Sequence, residues 1–403
     1  MASITKLPCE VITSVMRDLG NIRFLLPCLL TCRHFYACYR ENPSVAADIL
    51  QQQVTLALVP YSIAVLEASH LNPRTGVAVR ELLKMLYTEP SRLANRLRTM
   101  PVPLFMKMGH MHDAIHDLAS QYSSHAWTQI SNGQPMQAFS GLSLSRTEYY
   151  RFCRAFYRVE LYFSLFRNST SSNIASFSDD DREWFFSQHA PWENEQLSGA
   201  HDFLELKISK ASYDILAHDV ELGELGIDYL TPGGDNGWRQ LFALLKSSFG
   251  AGRADLYDAL TNPPGEDLDD GIPLSEYTDE DLDTLFSISH SEDANKGPFQ
   301  AWRMAFNDLP RRAWAMLTNN AGLRERAYVF WDVERLERCG LLSLFEDVSE
   351  DSELLSANKD FDGMYESFEE RSRIWQKGGL GYWSNDGESR IVWPTRQGME
   401  CLG

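Results

Sequence analysis

The chain has 403 residues, 44% of them hydrophobic, and carries a formal net charge of −19 at pH 7. That is apolar material for one large core or two moderate ones, since single cores stop growing at roughly 250 to 300 residues. So acidic a chain is not expected to take nucleic acid as a main partner, because phosphate binding needs a clustered positive surface. The apolar runs Phe24 to Leu30 and Tyr328 to Trp331 fall far short of the roughly 18 residues of a bilayer span, so no membrane partner is expected. Lys6 and Glu10 interrupt any apolar leader, so neither a secretory signal nor a transit peptide is expected, and cytoplasm or nucleus is the expected location. Seven cysteines, three of them (Cys28, Cys32, Cys38) within one apolar stretch, read as reduced core thiols.

The first element places Leu7, Val11, Ile12, Val15, Met16 and Leu19 at spacings of three and four, the pattern of an amphipathic helix. Pro8 suits its first turn and Gly20 its end. A second helix is expected from about Arg23, with Pro27 in its first turn and a stripe of Leu25, Cys28, Leu29, Cys32, Phe35, Tyr36 and Tyr39. Further helices are expected over Ala46 to Leu58, Val77 to Tyr87, Leu104 to Leu118, Arg146 to Phe166 and Glu193 to Leu216. The segment from Tyr149 to Phe166 is apolar almost all round and so belongs at the centre of the core. Between Pro263 and Asp293 there are eleven acidic residues and no Lys or Arg, the composition of an acidic loop or linker. Helices should resume over Phe299 to Leu317 and Leu323 to Cys339, with a second acidic patch from Glu346 to Glu353. Near the end, Gly381 to Ser384 and Ser389 to Trp393 flank Asn385, Asp386 and Gly387, a hairpin signal. No internal repeat is present.

The order Leu7, Pro8, Glu10, Val11, Ile12, Val15, Leu19, Leu25, Leu26, Leu29, Thr31, Cys32, Arg33, Phe35 resembles the F-box of fungal proteins, with its opening Leu-Pro-x-Glu and later Leu-Thr-Cys-Arg-x-Phe-Tyr. The resemblance covers about the first fifty residues. It implies docking onto a small Skp-type linker protein that bridges to a cullin–RING ubiquitin ligase, with Leu7, Pro8, Ile12, Leu26, Cys32 and Arg33 as the contact candidates. A helical unit this short cannot bury its own apolar surface, so the remainder can serve as a binding face. Pro27 and the short turn from Gly20 to Ile22 are less usual in that family. Segments such as Ala190 to Gln196 and Arg326 to Leu336 loosely resemble large fungal F-box proteins, in which the part after the F-box selects the protein substrate.

Candidate chemistry is sparse. His110, His112, Asp113, His116 and Asp117 crowd one helix, with His112 and His116 at the i, i+4 spacing that can seat zinc. The stripe Leu104, Met108, Met111, Ile115 and Leu118 puts both histidines at the core's solvent edge, and no third ligand is specified. Cys28, Cys32, His34 and Cys38 lack paired C-x-x-C spacing and read as packing. Asp279, Asp281 and Asp283 begin like a calcium loop, but Thr284 stands in place of the required Gly and His290 in place of the closing Glu. Lys377 to Gly381 lacks the ending of a phosphate-binding loop, and Pro232 to Gly237 is turn chemistry before Trp238. Six tryptophans (Trp302, Trp314, Trp331, Trp375, Trp383, Trp393) enrich the last quarter. There Arg371, Arg373, Trp375, Trp383 and Arg390 are the candidate substrate contacts.

The expected architecture is therefore mainly α. It comprises a linker-binding module (residues 1–50), a helical recognition region (51–262), an acidic loop or linker (263–295) and C-terminal helices with a short β-hairpin (296–403). No enzyme activity, cofactor or metal is expected. A metal-dependent hydrolase built on His112 and His116, and a scaffold outside the ligase, are the alternatives.

Overall fold

The computed structural model describes residues 7–131, 141–166, 179–218, 220, 278, 280–282, 293–306, 321–346, 352–353, 368–383 and 387–394. The turn at 232–237, Trp314, most of the acidic segment and residues 307–317 lie outside them. Among the described residues the protein is mainly α-helical, with one two-stranded antiparallel hairpin near its end.

Helix α1 (Cys9–Arg17) follows Pro8, whose φ of −58° leads directly into the first turn. It stops at Asp18, and Gly20, at φ +68°, takes the left-handed conformation that reverses the chain. A 3-10 turn (Ile22–Phe24) is capped by the Asn21 side chain, which accepts from the Arg23 N–H. The single second helix expected from the sequence is in fact two, α2 (Leu25–Thr31) and α3 (Arg33–Glu41). Cys32 between them is extended (φ −158°, ψ 158°), and the Thr31 hydroxyl closes the last turn of α2 by donating to the Cys28 carbonyl at 2.7 Å. Such back-bonding competes with helix continuation. Helix α4 (Val45–Gln53) follows and packs against α1.

This N-terminal unit is joined to the body through α4 and the 3-10 turn, both of which pack on α8 (Val102–Ser131). The joint is polar and specific. Gln53 accepts from the Ile22 N–H at 3.1 Å and donates to the Gly109 carbonyl (3.1 Å) and Asp113 (2.7 Å), while Asn21 donates to Asp113 at 3.0 Å. Ile22 fits so close to Gly109 that an added Cβ there would lie 2.2 Å from its Cγ2.

The body is organised around α9 (Arg146–Phe166), which packs on α5 (Val59–His70), α8 and α11 (Pro191–His218). Helix α5 has no counterpart among the sequence expectations, yet nine of its residues are buried, from Val59 through Leu66 and Ala68. Its apolar residues occupy every face, so no periodicity marks it. Helices α6 (Gly76–Thr88) and α7 (Pro90–Ala94) cover α5, and α10 (Asp179–Ser187) covers α6. The C-terminal part contributes α12 (Gly297–Phe306), α13 (Ala321–Glu325), α14 (Val333–Arg338), α15 (Leu341–Glu346) and α16 (Phe368–Gln376). The expected helix over Leu323 to Cys339 is broken: residues 326–331 form turns, with Ala327 at φ +50°. That irregular stretch delivers Tyr328, Phe330 and Trp331 into the core, where Phe330 stacks on Phe152 at 4.4 Å and Trp331 meets Trp127 at 5.7 Å.

Helix α9 is central, as its composition implies, but not for apolar reasons alone. Arg151, Arg154 and Arg158 recur at spacings of three and four along it, and all three are fully buried. Arg151 pairs with Asp293 (2.7 Å) and Asp332 (2.8 Å), Arg154 with Glu193 (2.8 Å), and Arg158 with Glu193 (3.2 Å). Burial opposes the charge on Arg154, but Glu193, then Tyr150 and Asp293, outweigh it and hold its pKa above the ordinary arginine value. At the start of α9, Glu148 takes a bidentate contact from Arg335 at 2.6 Å, and Arg324 of α13 clasps Glu195 and Asp202 of α11. The core is thus laced by ion pairs between distant parts of the chain. Strands β1 (Leu380–Gly381) and β2 (Ile391–Val392) pair Leu380 with Val392 and Gly381 with Ile391. Gly378 and Gly381, at φ +77° and +109°, make the Gly-rich run a turn into the hairpin.

Candidate functional site

Large apolar side chains left exposed concentrate in the N-terminal unit. Val11 and Val15 stand at i, i+4 on one face of α1, with Leu7 just before the helix, while Ile12 and Met16 on its other face are fully buried. Phe24, Leu26, Leu30 and Tyr36 are exposed as well, Leu30 the most at 77%. Seven of the twelve exposed large hydrophobics among the described residues therefore fall between positions 7 and 36. Helix α1 shows why: its apolar arc is wider than one packing face needs, and the excess faces solvent.

Of the contact candidates, Leu7, Pro8, Leu26 and Arg33 are exposed and Cys32 is half-buried. Ile12 is not available on this surface, because it points into the unit's own core at 0% exposure. Val11, Val15, Phe24, Leu30 and Tyr36 are exposed on it without having been contact candidates. The signal for α1 was present in the two-sided apolar pattern.

Beside this face, α1 and α3 bring three ligand-type side chains together. The Cys38 thiol donates to the Cys9 sulfur at 2.8 Å, and the His34 ring nitrogens lie 3.8 and 4.0 Å from the Cys38 sulfur. His34 Nε2 also lies 3.1 Å from the Leu7 carbonyl oxygen. The neighbouring Cys38 thiol, burial and Glu41 push the Cys9 thiol up to about 12. The sequence cluster of Cys28, Cys32, His34 and Cys38 is thus divided: His34 and Cys38 join Cys9, and Cys28 and Cys32 do not.

The histidines of α8 do not converge on a metal. His112 is buried rather than at the solvent edge, with Nδ1 3.0 Å from the Tyr157 hydroxyl, whereas exposed His116 has Nδ1 2.9 Å from the Tyr149 hydroxyl. Asp113 is taken up by Asn21 and Gln53. Burial, with His116 adding to it, lowers the His112 pKa to about 4. Of the would-be calcium loop, Asp281 caps its own helical turn by accepting from the Thr278 N–H and hydroxyl. Asp279 and Asp283 lie outside the described residues.

At the C-terminal end, Arg371 is buried at 2% exposure and so does not belong to a contact surface. Arg373 and Arg390 are exposed, and Trp375 and Trp383 are half-buried. The hairpin is fastened to the end of α11: the Trp383 N–H donates to the His218 carbonyl at 2.9 Å, His218 Nδ1 lies 3.0 Å from the Trp383 carbonyl oxygen, and Arg390 lies over the Tyr382 ring. A cleft of about 410 Å3 opens between α5, α8 and α9, lined by Val65, Leu66, Met108, Met111, Lys107 and Glu160 among others. Among the described residues no helix is long and apolar enough to cross a membrane.

No protein-family profile, curated protein or solved structure matches this chain.

Proposed function

We propose that the chain is an F-box-type adaptor whose first helices dock a Skp-type linker of a cullin–RING ubiquitin ligase, while the body holds a protein substrate. The observation that carries this reading is the exposed apolar face of α1 to α3, in a unit whose other face is anchored on α8. Exposed apolar surface gathered on a few short helices is what a helix-in-groove interface uses. The contacts proposed are Leu7, Pro8, Val11, Val15, Leu26, Leu30 and Arg33, with Cys32 at the margin. No residue of the chain performs the transfer; the adaptor works by raising the effective concentration of substrate lysines near a charged conjugating enzyme.

The test is co-purification of the full chain with a Skp-type linker in size-exclusion chromatography. The wild type is expected to form a 1:1 complex, and Val15→Asp with Leu26→Asp to abolish it while leaving helicity and cooperative melting intact, since both side chains are exposed. Absence of a complex with the wild type, or its survival in the double variant, overturns the proposal.

A further inference from the structure

We propose that Cys9, His34 and Cys38 form a transition-metal site, with zinc the best fit, that clamps the start of α1 to the middle of α3. The proposal stands apart from the adaptor reading. Nothing in it requires a ligase.

The three ligand atoms lie within 4.8 Å of one another. His34 and Cys38 are one turn apart on α3, so their side chains share a face, and Cys9 opens α1 opposite them. In a tetrahedral zinc site with Zn–S near 2.3 Å, ligand sulfurs stand about 3.7 Å apart. The present sulfur–sulfur separation of 2.8 Å must therefore widen by roughly 1 Å, and half-buried Cys9, at the first residue of its helix, has the freedom to give.

The surroundings suit a metal as well. With its proton on Nε2, His34 donates to the Leu7 carbonyl and keeps Nδ1 as the lone-pair donor, the orientation that backbone carbonyls impose on metal-bound histidines. The half-buried position of Cys9 and His34 leaves the fourth position to solvent. Two thiolates and an imidazole select a soft or borderline cation over calcium or magnesium. On binding, the two thiols release their protons to solvent and no electrons move. The cluster is open to entry, because Cys9 and His34 are only partly buried while Cys38 forms its floor.

The alternative for two adjacent thiols is oxidation to a disulfide, and one experiment separates the two. The full chain, purified under reducing conditions and freed of metal with a chelator, is titrated with Co2+. The expected result is one cobalt per chain, with thiolate-to-cobalt charge-transfer absorption and the intense d–d bands of four-coordination, both removed by added Zn2+. Cys9→Ser and His34→Gln should each weaken binding by about 10-fold or more, whereas Cys28→Ser and Cys339→Ser leave it unchanged. Both test positions are partly exposed, and matching thermal melts of the metal-free variants and wild type confirm that folding is not the cause. The proposal is overturned if no such spectrum develops, if it persists in Cys9→Ser, or if mass spectrometry finds a Cys9–Cys38 disulfide in the reduced preparation.

Discussion

At the scale of single residues, the chemistry turns on what each polar side chain meets when buried. His112 is the clearest case. Its pKa is about 4 in the folded chain against an ordinary value near 6.5, so the folded state disfavours its proton. The stability that neutral His112 allows is complete above about pH 6.5 and is lost as pH falls toward 4, at a cost of about 3 kcal/mol. Urea denaturation at a series of pH values should show this loss, and His112→Gln should flatten that limb; an unchanged pH profile in the variant would count against it. The i, i+4 spacing that marked His112 and His116 was visible in the sequence, but their partners were not, because Tyr149 and Tyr157 come from another helix. The same blindness applies to Cys9, which lies 29 positions from Cys38 and stands at the unspecified position of Leu-Pro-x-Glu. Distance along the chain hides both pairings.

At the scale of elements, periodicity located most helices, and its failures have physical causes. Arg146 to Phe166 matched α9 at both ends, because alternation of large apolar and long basic residues sustains a helix over its whole length. Helix α5 escaped because it is buried on all sides, and α2 and α3 were fused because nothing in their composition marks the extended backbone of Cys32. The stripe of α9 was read as aromatic packing, whereas three arginines share that core. Breaking one of those pairs leaves a buried charge, so Glu193→Gln is expected to cost about 3 to 5 kcal/mol in chemical denaturation. Removing Arg154, Arg158 and Glu193 together in favour of apolar side chains should cost far less. If the single change proves as mild as the triple one, the ion pairs do not carry that weight. The joint between α8 and the N-terminal unit makes a second prediction. Gly109→Ala drives a methyl into Ile22, and overpacking of this kind typically costs about 1 to 3 kcal/mol. Hydrogen exchange should localise the loosening to residues 20–24 and α4, and uniform protection would argue that the joint can yield.

At the scale of the whole molecule, one face of a small helical unit stays apolar and exposed while its opposite face is bolted to a large body by polar contacts. This arrangement is the basis of the adaptor proposal. What the body would hold under that proposal was not legible, since its side chains are spent on a charged and aromatic core. The ion pairs of α9 also fix an order of events. Arg151 must wait 142 residues for Asp293 and 181 for Asp332. At about 5 to 20 residues per second the last of these leaves the ribosome roughly ten to forty seconds after the arginine it neutralises. Arg154 and Arg158 meet Glu193 early, 39 and 35 residues on, while Arg154 gains Asp293 as a second buried anion only when residue 293 arrives. A chain cut short before Asp293 is therefore expected to leave Arg151 with neither of its carboxylates in the centre of the body.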